Sequence, residues 1–163
     1  MGMRPTVVIA TTIAIALTLP GVAVGQSSTR SPWATVNLCD PPSRPGAVGV
    51  RVRIPNRADA AQWTRIRLQF FDGTTRAWRL VRSGGDAGWT KLSDGGGPVT
   101  GGTTFTFPPP RAGARIVVRG LVDFEWRRGT TVVSRARVKT TSGHRNAADP
   151  MLRVSRASCQ IVR

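Results

Sequence analysis

From position 33 onward, apolar and polar residues alternate with a period of two. A strand that buries one face and wets the other produces this pattern. Eight segments carry it: WATVNLC (33–39), VGVRVRI (48–54), TRIRLQFF (64–71), AWRLV (77–81), TFTF (104–107), RIVVRGLVDFEW (115–126), TVVSRARVK (131–139) and RASCQIV (156–162). In the second, Val48, Val50, Val52 and Ile54 share one face and Arg51 and Arg53 the other. In the third, Ile66, Leu68 and Phe70 oppose Arg65, Arg67 and Gln69. In the sixth, Val122, Phe124 and Trp126 oppose Arg119, Asp123, Glu125 and Arg127, and in the seventh Ala136 and Val138 oppose Arg135, Arg137 and Lys139. Trp63, Phe70, Phe107, Phe124 and Trp126 mostly keep the apolar phase and read as core.

No long helical stripe interrupts the alternation. NRADAAQW (56–63) is compatible with one short helical turn, capped by Asn56 with Asp59 near its positive end. Gly and Pro clusters punctuate the strands at antiparallel turn spacings. SDGGGPVTGG (93–102) reads as the most flexible internal segment, and TTSGHRNAADP (140–150) as a second loop. The expected fold is all-β, an antiparallel sandwich of about eight strands.

The pair GLVDFEWRRGTTVVSRARVKT (120–141) resembles the final hairpin of immunoglobulin-like and fibronectin type III domains. That resemblance implies an immunoglobulin-like β-sandwich. The chain departs from the pattern in having no tyrosine, and its cysteines do not bracket a core tryptophan. It also resembles secreted proteins of high-GC bacteria, which implies no particular activity. Within the hairpin, an unbroken alternation on both strands requires an odd-numbered loop through Arg128 and Gly129, which excludes a two-residue turn. A three-residue loop sets Asp123 opposite Arg135. A five-residue loop sets Glu125 opposite Arg135 and Asp123 opposite Arg137. Charge matching favours five and Gly129 favours three, which is preferred.

Upstream of the strands, Arg4 precedes an apolar run over 7–19, broken by Pro20 and followed by Ala23-Val24-Gly25 before Gln26. This reads as a signal peptide over 1–25, with a single domain at 26–163. The run is shorter than the roughly 20 residues of a membrane-spanning helix. No integral span is therefore expected after cleavage, and the expected location is secreted, extracellular or at the cell surface. In an exported chain, Cys39 and Cys159 form the natural disulfide.

The 24 basic residues outnumber the 8 acidic ones, for a formal charge of +16, and all but two of the basic residues are arginine. Outside the cell such a charge points to acidic envelope polymers or another protein. A specific nucleic-acid partner is not expected, since few aromatics stand exposed between the basic residues. Arg135 and Arg137 face an acidic row across the hairpin. Arg51, Arg53, Arg65 and Arg67 have no such row nearby in sequence and are the candidate anion-binding residues. Trp89, in GGDAGWT, is the candidate loop contact.

Reactive chemistry is sparse. His144 is the only histidine and Glu125 the only glutamate. No zinc-ligand spacing occurs, and SDGGGPVTGG lacks the Lys-Ser/Thr ending of a phosphate loop. No catalytic residue, metal or cofactor is expected, and the chain is read as a non-enzyme. The leading expectation is a binding module that uses an arginine-rich sheet face. The alternative is a structural or protein-protein domain, an inhibitor or accessory unit, whose charge is incidental and follows genome composition.

Overall fold

The computed structural model describes Gly2 and residues 31–57, 60–108, 110–151 and 154–163. The expected leader, Gly2 apart, and Asp59 lie outside the described residues. Among the described residues nine strands follow one another: β1 (Trp33–Cys39), β2 (Ala47–Ile54), β3 (Ala61–Asp72), β4 (Ala77–Leu80), β5 (Asp86–Ser93), β6 (Val99–Thr106), β7 (Arg115–Arg128), β8 (Thr131–Lys139) and β9 (Cys159–Val162). No helix of the described residues is long and apolar enough to cross a membrane.

The strands form two antiparallel sheets. The first has the order β1-β2-β6 and the second β4-β3-β7-β8, with β5 also on β3 and β9 also on β7. β4 and β5 share one edge of β3, on residues Gln69–Asp72 and Gln62–Arg67 respectively. β9 and β8 share the outer edge of β7 in the same way. The two long strands β3 and β7 therefore form the spine of the second sheet.

The expected apolar rows meet between the sheets. Val48, Val50, Val52 and Ile54 are at most 1 % exposed and pack in one cluster with Ile66, Leu68, Val122, Phe124 and Trp126. Phe70, Ala136 and Val138 lie against that cluster, partly buried. The buried Trp126 indole N–H donates to the Pro55 carbonyl at 3.1 Å, and the same oxygen accepts from Gln62 Nε2 at 2.9 Å. Two polar groups thereby enter the core with a partner, the condition for burying them at low cost. Cys39 and Cys159 are disulfide-bonded, with Cα atoms 5.3 Å apart, and join the end of β1 to the start of β9.

Three expectations about the strands are corrected. β5 is a ninth strand that the alternation did not reveal. β6 starts at Val99, so the loop expected over 93–102 shrinks to the residues between Ser93 and Val99. Gly102 pairs with Arg51 in the β2–β6 ladder, and a Cβ there would stand 2.6 Å from the Val50 carbonyl oxygen, so the strand requires glycine at this position. The strand β3 begins at Ala61, which removes 61–63 from the expected helical turn.

In the hairpin the five-residue register is the one adopted through the body: Glu125 faces Arg135 and Asp123 faces Arg137. The turn itself nevertheless has two residues, Gly129 and Thr130, with Arg128 opposite Thr131. A bulge reconciles the two, since Trp126 pairs with Ser134 but Arg127 with Val132, leaving Val133 unpaired. Gly129 has φ 57°, which a two-residue turn with glycine first requires.

Candidate functional site

Cross-strand pairing arranges the outer face of the second sheet in rows. Trp89, Arg65, Asp123 and Arg137 form one row across β5, β3, β7 and β8, and Lys91, Trp63, Glu125 and Arg135 form the next. Arg65, Arg67 and Trp89 thus come together with Arg135 and Arg137 around an open groove of about 430 Å³, whose floor includes Asp123 and Glu125. Trp89 lies within β5 rather than in a loop.

Each carboxylate at the floor holds two guanidiniums. Asp123 accepts from Arg67 Nη2 through Oδ2 and from Arg137 Nε through Oδ1, both at 2.5 Å. Glu125 accepts from Arg135 Nε at 3.0 Å and from Arg127 Nε at 2.8 Å. At the rim, Arg65 forms a bidentate pair with Asp86. Burial alone would raise the Glu125 pKa, but the hydrogen bonds from Arg135 and Arg127 outweigh it and hold the carboxyl below its ordinary range. Asp86 is lowered chiefly by its hydrogen bonds from Arg65.

Five arginines here face three carboxylates, so two positive charges stay uncompensated. The excess sits outermost: the Arg135 and Arg137 side chains are 72 % and 65 % exposed, against 17 % for Arg67. Only part of each outer guanidinium is used, and a guanidinium offers five N–H donors. Arg127 lies over the Trp63 ring at 4.4 Å and the Trp89 ring at 5.1 Å, which fixes its plane beside the groove. Beneath the surface, the Trp63 indole N–H and Arg67 Nε have no acceptor among the described residues.

Arg51 and Arg53 lie elsewhere, because β2 belongs to the first sheet. Arg51 is 9 % exposed. Its Nε stands 2.8 Å from Asp149 Oδ1, and its Nη2 donates to the His144 carbonyl. Arg53 is partly buried, with Trp33 and Thr100 as its ladder neighbours. The four candidate arginines therefore divide into two pairs on two sheets, and three of them have carboxylate partners.

Trp63 was expected in the core but points outward. Its parity matches Arg65 and Arg67, and that signal was present in the sequence. Arg127 was legible as an outward residue, whereas its second aromatic neighbour, Trp89, depends on β5, which the alternation missed. No protein-family model matches this chain, and no curated protein matches it.

Proposed function

We propose that this chain is a secreted, non-catalytic binding module of the immunoglobulin-like, fibronectin type III-like type. It contacts acidic cell-envelope polymers through the outer face of its second sheet. The observation that carries the reading is the groove where Arg65, Arg67 and Trp89 meet the two exposed arginines Arg135 and Arg137. Guanidiniums already oriented by carboxylates lose little rotamer freedom when a phosphate or carboxylate polymer adds to their free N–H edges. A three-stranded antiparallel sheet against a six-stranded one, with β2 to β3, β5 to β6 and β6 to β7 crossing between them, supports the sandwich architecture. The disulfide supports export.

Polyphosphate is a suitable probe. Its affinity is expected to fall steeply with salt, and Arg135→Gln/Arg137→Gln is expected to reduce the log–log slope by about one to two. The reading fails if that variant keeps the full slope, or if Arg44→Gln/Arg76→Gln, away from the groove, lowers it as much. The carboxylates between the guanidiniums favour a second reading, an accessory or inhibitor domain that docks a protein surface of mixed charge. Absence of polyphosphate binding would favour it.

A further inference from the structure

At one end the second sheet overhangs the first. The inward row of β7 runs from Val122 through Gly120 and Val118 to Ile116, and β9 adds Ile161 directly opposite Ile116. The first sheet stops short of this end: β2 begins at Ala47, opposite Thr106, the last residue of β6. The β3–β7 ladder also ends there, at Phe70 and Val118, while Phe71 pairs onward only with Trp78 of β4. An inward-facing apolar row is left with no sheet across from it, and Ile116 is 37 % exposed as a result.

The overhang encloses a groove of about 590 Å³ lined by Phe70, Phe71, Val81, Phe107, Ile116 and Ile161. That volume lies within the range of small-molecule sites, which are mostly apolar with a few polar groups that orient the ligand. The charged residue lining it is Arg115. Arg82 lines an adjoining cavity, which shares Phe70 and Val81 and also contains the ion pair of Arg79 with Asp72. Among the described residues every aspartate and glutamate is engaged by another cation, and neither Arg115 nor Arg82 has a carboxylate partner.

We infer that this groove binds a long-chain acyl carboxylate, its chain along Phe70, Phe107 and Ile116 and its head group at Arg115. Hydrocarbon suits an apolar lining that offers no buried polar partner, and the unpaired cation at the mouth selects an anion. The open end leaves the head group in water. The site is separate from the arginine groove, so each stands or falls alone.

The test is a titration of the purified protein with octanoate, decanoate and dodecanoate below their micelle concentrations, followed by calorimetry. Affinity is expected to rise about three- to fourfold per added methylene. Arg115→Gln is expected to weaken dodecanoate about tenfold while leaving decanol unchanged. Ile116→Asp is expected to abolish binding. Phe71→Asp serves in its place if the circular dichroism of that variant shows misfolding, since Phe71 is 40 % exposed. The inference is overturned if binding does not saturate, if chain length has no effect, or if dodecylammonium binds as tightly as dodecanoate.

Discussion

His144 lies flat on Trp33, ring centroids 4.1 Å apart and planes 5° from parallel. The contact pins the loop around His144 onto the first sheet, where the His144 N–H donates to Ser155 Oγ at 2.8 Å and Nε2 lies 3.1 Å from Thr141 Oγ1. The charged groups around the ring are Arg51, with Asp149 beyond it, and Arg145 next in the chain. Burial, followed by the charge of Arg51, holds the imidazole pKa below 6.5. A base depressed in the folded state stabilises fully above its unfolded pKa and loses that contribution as pH falls toward the folded one. The melting temperature is therefore expected to drop between pH 7.5 and 5.5. His144→Phe, which keeps the stack, is expected to flatten the profile, and a wild-type melting point unchanged over this interval would contradict the account.

Arg51 and Asp149 form the most buried ion pair of the described residues, with side chains 11 % and 2 % exposed, and Asn37 Nδ2 donates to the same aspartate at 2.8 Å. Removing one partner strands the other charge. Arg51→Met is expected to cost about 3–5 kcal/mol in urea unfolding. Arg65→Met, at a pair whose members are 37 % and 36 % exposed, is expected to cost several-fold less, because solvent screens both charges. Equal losses at the two sites would show that burial does not govern these pairs.

Gly120 sits where β7 passes under Thr140. A Cβ there would stand 2.7 Å from Thr140 Cγ2 and 3.3 Å from both Val50 methyls. The Gly120 N–H also donates to Thr140 Oγ1 at 3.1 Å. Gly120→Ala is expected to cost about 1–3 kcal/mol through overpacking. Adding Thr140→Ser removes the offending methyl and keeps the hydroxyl, so the double variant is expected to regain part of the loss. If it regains none, the clash is not with Thr140.

The strands that bury a continuous apolar row were legible from their alternation, including both outer bounds of β1 and β8. β5 was not, because most of its residues are exposed and Gly88 takes φ 69°. What holds β5 is its ladder to β3, a long-range relation that no local pattern announces. The hairpin turn was misread for a related reason: parity arguments assume unbroken alternation, and the unpaired Val133 breaks it. Arg51 seemed free of acids because its partner lies 98 positions further along the chain. Arg65 and Arg67 were correctly placed together on one face, and their meeting with Trp89 required the sheet order.

The Cys39–Cys159 bond has a mechanical meaning. It closes a loop that contains β2 to β8 entire, so tension applied ahead of Cys39 and behind Cys159 passes from β1 through sulfur to β9. A covalent bond bears that load, and the ladders that join the seven intervening strands to one another are shielded from it. Reduced protein is expected to lengthen by the whole enclosed segment when pulled, whereas oxidised protein yields only outside it. A domain wired in this way acts as a short, inextensible link that keeps its arginine groove and its apolar overhang in shape under strain.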